Sequence, residues 1–192
     1  VRILGAMELF LRTREKSAMK KLKVDLVMWT KDNARMLPLI LKRIDEVIPA
    51  EIVAKRILVD DHSSDNTAQV AESFGWTVYK NKGKGIKAAA ATALSHVTAD
   101  FFISIEHDIL LPKNWWSKIS PYLKDESVAI AQGARIATHP ILRKLDEYAI
   151  ERKEIVSMDN NVYRTATIRK LPLGGGDGIV AKRQIEEIGM KW

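Results

Sequence analysis

Short apolar runs alternating with amphipathic stretches set what this chain can fold into. VDLVMW (24–29), RILVDD (56–61), WTVYK (76–80) and FFISIEHD (101–108) each carry a few consecutive apolar residues bounded by polar ones. That is the pattern of strands buried on both faces. Between the first two, Leu37, Ile40, Leu41, Ile44, Val47 and Ile48 recur at three- and four-residue intervals, predicting a helix that ends before Pro49. Asn66 and Gln69 have the spacing of a capping box, opening a helix with Val70, Ala71 and Phe74 inward. After Gly83-Lys84-Gly85, a run with Ile86, Ala90, Ala93, Leu94 and Val97 inward predicts another helix. A helix over 115–123, with Trp115-Trp116 packing on the sheet, and a strand over 128–132 follow. Strand and helix alternate throughout, which predicts an α/β fold: a mainly parallel sheet with helices on both faces, Rossmann-like.

The chain has 192 residues, enough for one good-sized domain, and the alternation gives no reason to split it; residues 23–192 are expected to form it. Residues 1–22 are expected to lie outside the fold, because MKKLKVDLV from Met19 reads as a natural beginning. Within that extension Ile3, Leu4, Met7, Phe10 and Leu11 fall near helical spacing and are followed by lysines and arginines. A basic amphipathic helix of this kind suits peripheral contact with a membrane surface. The longest apolar runs fall well short of the roughly 20 residues that span a bilayer.

With no cysteine, disulfides and thiolate metal sites are excluded, and a cytoplasmic setting is expected, at the inner membrane surface if the extension binds lipid. The balance of 31 Lys+Arg against 24 Asp+Glu leaves +7, which attracts phosphorylated ligands, anionic lipid and nucleic acid alike. Charge alone selects none of them, and nucleic acid is not the expected partner. The four histidines show no metal-ligand spacing, and no G-x-S-x-G elbow is present.

In open α/β sheets, ligands bind beyond the carboxyl ends of the strands. The residues there are Thr30, Asp60-Asp61, the segment 80–85, and Glu106-His107-Asp108, all polar, acidic or glycine-rich. In an extended chain Glu106 and Asp108 project to one side and His107 to the other. Two converging carboxylates repel unless a cation lies between them, and a hard divalent ion, Mg²⁺ or Mn²⁺, suits them. Asp60, which when ionised can only accept, suits the hydrogen-bond donors of a base or sugar. NKGKGIK places glycine amides and lysines at a helix start, where a phosphate is favoured, with Lys84 or Lys87 adding charge.

Taken in order, these segments resemble the family 2 glycosyltransferases, whose nucleotide-binding fold is called GT-A. WTKDNARMLP resembles the family's PTYNEAENLP, with Thr30 and Leu37-Pro38 matching and Asp32-Asn33 in place of Asn-Glu. VDDHSSDNT is similar to VDDGSTDGT, which implies that Asp60 contacts the nucleotide base. NKGKGIKAAAATAL is similar to N-x-G-K-G-x-A, which implies that Lys84 lies near the diphosphate. IEHD stands where the family has D-x-D, which implies Asp108 as metal ligand and Glu106 as a ribose or second metal contact. LGGGDGIVAKRQIEEIG resembles the family's acceptor-side glycine loop and helix; Asp177 lies in that loop. The resemblance implies transfer of a sugar from a nucleoside-diphosphate sugar, with a divalent cation, to a polysaccharide, lipid phosphate or protein acceptor. It also implies that the general base, an acidic residue shortly after this last helix, lies beyond Trp192. The alternative expectation is a catalytically silent module that binds nucleotide sugar.

Overall fold

The computed structural model describes residues 22–134, 136–137, 144–145, 148, 157–171 and 178–192. Nearly all of the 1–22 extension, and the loop holding Asp177, fall outside them. Four strands run parallel: β1 (Val24–Thr30), β2 (Val53–Asp60), β3 (Thr77–Lys80) and β4 (Phe101–Ser104). The helices joining them are α1 (Leu37–Val47), α2 (Thr67–Ser73) and α3 (Gly85–His96). Then come β5 (Ile109–Leu110), α4 (Trp115–Ile119), β6 (Ile130–Gln132), β7 (Ile136–Ala137), β8 (Asn161–Arg164), α5 (Thr165–Ile168) and α6 (Gly178–Glu187).

The main sheet has the order β3-β2-β1-β4-β8-β6, and β5 pairs with β7 in a separate antiparallel ribbon. Within the main sheet β8 alone runs against its neighbours, pairing antiparallel with both β4 and β6. Mainly parallel therefore describes it, with one reversed strand that the sequence pattern did not separate from its surroundings. The C-terminal end adds to the β6 side: Val128 bridges Lys191, and the Trp192 indole donates to the Gln132 side chain at 2.8 Å.

Alternation along β1 explains the two-sided covering. Leu26 and Met28 face one way, packing with Ile103 against Leu37, Ile40, Leu41 and Ile44 of α1 and Trp115 of α4. Val27 faces the other way, with Val59, Phe102 and Tyr163, under Ala89 and Ala93 of α3 and Ile185 of α6. Each fully buried Leu or Ile contributes about 1.5–3 kcal/mol by leaving water, so β1, buried on both faces, is the spine. No helix among the described residues is long and apolar enough to cross a membrane.

Three local expectations change. Asn66 does stand before α2, but no side chain caps there in the predicted way. The Asp65 carboxylate accepts the Thr67 N–H instead, at 2.9 Å, because its short side chain folds back within the turn. In α3 the buried positions are Ala89, Thr92 and Ala93, while Ile86 is 66% exposed and Ala90 and Leu94 are only half-buried. An alanine-rich helix approaches a sheet closely on whichever face is smallest, so the larger residues turn aside. Finally β4 ends at Ser104, and Glu106 to Asp108 lie in a turn before β5. Strand alternation therefore does not set the directions of those two carboxylates.

Candidate functional site

The parallel strands finish in register. Thr30 stands beside Asp60, and Asp60 beside Lys80. Two further backbone bonds carry the ladder past the strand ends, Asp61 N–H to Thr30 and Asn81 N–H to Asp60, both at 2.9 Å. Because β8 runs the other way, its first residue, Asn161, pairs with the last residue of β4, Ser104. The reversed strand thus starts at the rim where the parallel strands end.

The loops along this rim are stitched to one another by side chains. The Asp32 carboxylate accepts the Ser64 N–H at 2.6 Å, and the Asp32 N–H donates to the Ser63 hydroxyl at 2.9 Å. The Asn33 N–H donates to the Thr67 hydroxyl at 2.8 Å, and the Ala34 N–H to Asp65 at 3.0 Å. The Asn33 side-chain amide then donates to the His107 carbonyl at 2.7 Å. The His107 ring reaches the Trp29 carbonyl at 3.2 Å, and His62 the Gly83 carbonyl at 2.9 Å. Asp32 and His62 hold left-handed backbone, with φ of 46° and 61°, so the turns are tight. Asp32 and Asn33 are accordingly braces between the β1, β2 and β4 loops.

At the start of α3 the expected phosphate cradle is already in use. The Gly85 N–H donates to the Asp61 carboxylate at 3.1 Å, and the Asn81 amide donates to the same carboxylate at 2.7 Å. The Asn81 bond, the Gly85 N–H and the charges of His62 and Lys31 hold Asp61 below the usual carboxylate range, against the cost of burial. A protein carboxylate thus occupies the amide that sequence reasoning offered to a phosphate. Lys84, at the N-cap position of α3, remains exposed beside it.

Asp60 is buried, and its carboxylate accepts a long bond of 3.3 Å from the Ser63 N–H. The Thr30 hydroxyl is buried with no hydrogen-bond partner among the described residues. Glu106 is gripped by Asn160: the Asn160 amide donates to its carboxylate at 3.1 Å, and the Glu106 N–H donates to the Asn160 side-chain oxygen at 3.3 Å. Next to it the Ser104 hydroxyl donates to Asp159 at 2.7 Å. Below them Tyr163 is buried, its hydroxyl donating to the Met158 carbonyl, and burial pushes its pKa far up, with Asp159 and Glu106 adding to the shift. It stays neutral.

Asp159 and Asn160 were missed in the sequence. The signal available is a polar Asp-Asn-Asn run directly before the apolar pair Val162-Tyr163 of β8. Asp108 is exposed in the turn after Glu106. Among the described residues no group of three or more His, Cys, Asp or Glu is arranged to hold a metal ion by itself. The donor set nonetheless fits a hard cation that takes one or two carboxylates from protein and the rest from a ligand.

Strand ends in register, braced acidic loops and an exposed lysine at the next helix start define an open α/β fold of the kind that binds ligands beyond the carboxyl ends of its strands. Residues 33–140, more than half of the chain, match the family model described as glycosyl transferase family 2, and the chain belongs to that family. Among solved structures it is similar to the mannosyltransferase PcManGT from Pyrobaculum calidifontis in complex with GDP-Man and Mn²⁺: 19% identity, TM-score 0.68, covering 95% of this chain and 60% of that one. It is also similar to glucosyl-3-phosphoglycerate synthase from Mycobacterium tuberculosis in complex with Mn²⁺ and UDP-Glc: 15% identity, TM-score 0.67, 90% and 68% covered. S. aureus TarS 1–349 matches at 16% identity and TM-score 0.58, with 78% and 49% covered. At these identities the likeness shows the fold. The chain thus spans about half to two thirds of the length of these structures. No curated protein matches it.

Proposed function

We propose that this protein transfers a sugar from a nucleoside-diphosphate sugar to an acceptor with the help of Mg²⁺ or Mn²⁺. One observation carries the reading: register and topology bring Thr30, Asp60, Glu106 and the start of α3 to one edge of the sheet, behind loops already braced. In this reading Asp60 accepts from the N–H groups of the base, and the Thr30 hydroxyl gains in the donor a partner that it lacks among the described residues. Lys84 offsets the diphosphate charge. Glu106 and Asp108 hold the cation, whose shell the diphosphate oxygens complete. The cation supplies charge neutralisation to the leaving diphosphate. Asn160 fixes the Glu106 carboxylate so that little reorganisation accompanies binding. The GDP-Man and UDP-Glc complexes of the similar structures, both with Mn²⁺, favour this class of donor. The acceptor is a polysaccharide, a lipid phosphate or a protein.

The test is a calorimetric titration of GDP and of UDP with and without Mn²⁺. Binding is expected to need the metal. Asp60→Ala should weaken it by roughly 10- to 100-fold, the worth of a hydrogen bond to a charged group, and Asp108→Ala should remove the metal's effect. Equal binding in both titrations, or none in either, would refute the metal assignment.

A further inference from the structure

Lys84 is the cation that the donor reading sets against the diphosphate, and a lysine on a long stem is only as well placed as the backbone that carries it. Both peptides that flank it are held from the end of β2. The Lys84–Gly85 peptide is held through its N–H, which donates to the Asp61 carboxylate at 3.1 Å. The Gly83–Lys84 peptide is held through its carbonyl, which lies 2.9 Å from His62 Nε2. A carbonyl oxygen only accepts, so Nε2 carries the hydrogen and donates. Lys84 itself is extended, with φ −135° and ψ 142°, and stands between two fixed peptide planes.

The second of these holds comes at a cost to the backbone. His62 has left-handed backbone, φ 61°, which residues other than glycine adopt against steric resistance. Glycine, which stands at this place in the similar pattern VDDGSTDGT, meets such a φ without strain but has no side chain to reach Gly83. The His62 side chain is exposed, so burial of apolar surface does not account for it. At the other end of the bond, Gly83 lies close against the start of α3: a Cβ there would come 2.8 Å from that of Ala88. The carbonyl that His62 takes therefore belongs to a residue already pressed on the helix, and the bond ties the end of β2 to α3 beside Lys84.

We propose that His62 is a positioning residue for the donor: its bond to the Gly83 carbonyl sets the backbone from which Lys84 reaches the diphosphate. This rests on the donor reading above, and it makes His62 act through Lys84 rather than on the ligand. With the Gly83–Lys84 peptide fixed before the donor arrives, less order has to be imposed on binding, and the lysine charge is already directed to the leaving group. Without the bond that peptide can turn about the rotatable bonds of Gly83, and the ammonium group spreads over a wider volume.

The experiment is a double-mutant cycle read by calorimetric titration of GDP and of UDP, with Mn²⁺, into the full chain. His62→Gly should weaken nucleotide binding about three- to tenfold, the worth of one hydrogen bond. His62→Gln, whose amide N–H reaches nearly as far as the ring Nε2, should recover most of that loss. If the glycine variant does not fold, His62→Asn, which also tolerates this backbone and is too short to reach Gly83, should show the same loss. Lys84→Gln alone should cost about tenfold or more, as for a hydrogen bond to a charged group. Adding His62→Gly to Lys84→Gln should cost less than about twofold further, because residues that act through one another are not additive. Losses that add in full, no recovery with glutamine, or wild-type affinity in His62→Gly overturns the inference. Each of these, with nucleotide still bound by the wild-type chain, leaves the donor reading standing. Binding of neither diphosphate to the wild-type chain overturns the donor reading, and this inference with it.

Discussion

Asn160 shows how much of the site depends on one side chain that is not itself charged. It is completely buried and sits at φ 63°, a conformation costing most L-residues roughly 1–2 kcal/mol and asparagine less. From there it satisfies both the N–H and the carboxylate of Glu106. Asn160→Gly should keep the backbone and lose the grip, whereas Asn160→Ala should lose the grip and strain the backbone. Both are expected to weaken Mn²⁺-dependent nucleotide binding about tenfold, the lower end of a charged hydrogen bond, while chemical denaturation shows alanine the less stable of the two. Unchanged nucleotide affinity in both would remove Glu106 from the site. That Asp60, Glu106 and Asp108 stand at or just beyond strand ends was legible in the sequence because each follows an apolar run. Asn160 was not, because its role comes from a contact with a residue 54 positions away, and no local pattern records such a partner.

At the level of elements, the start of α3 is held by an acid from another strand. Asp61 follows β2 directly, and its carboxylate takes the Gly85 N–H and the Asn81 amide, both on the far side of β3. It also stands where the positive end of the helix dipole favours a negative charge. The alternation of the sequence revealed the helix, and the glycines revealed its beginning. What it could not reveal was which anion sits there, since a protein carboxylate and a ligand phosphate ask for the same amides. The pKa of Asp61 is lowered in the fold, so its contribution to stability is complete above the ordinary value of 3.8 and shrinks as pH falls through that value towards the depressed one. Asp61→Ala is therefore expected to cost about 1 kcal/mol at pH 7, the size of a lost helix cap, and less at pH 3. Urea unfolding of both proteins at the two pH values measures the gap. A gap that widens on acidification would contradict the assignment.

For the whole molecule, the decisive feature is the reversed strand β8, which joins the parallel sheet to β6 and carries Asn160 to the rim. Four parallel strands were readable from apolar runs with helices between them, whereas β8 opens with asparagine after the polar pair Asp159-Asn160 and offers only Val162-Tyr163 as apolar residues, so no run sets it off. Its placement is secured at Gly133, just past β6. The Gly133 N–H donates to the Asn160 carbonyl at 3.1 Å, and a Cβ there would collide with the Trp115 indole and with that same carbonyl. Trp115 belongs to the core on the α1 face of the sheet, so a single position couples that core to the rim. Gly133→Ala should force the indole and the Asn160 backbone apart, at about the 1–3 kcal/mol typical of overpacking. Because the sheet is shared by both cores, the loss should appear as one shifted unfolding transition, seen together by tryptophan fluorescence and far-ultraviolet circular dichroism. Nucleotide affinity should fall with it, since the displaced carbonyl belongs to the residue that orients Glu106. A variant that unfolds at the wild-type midpoint would show that the indole moves aside freely, and the proposed coupling between core and rim would be wrong.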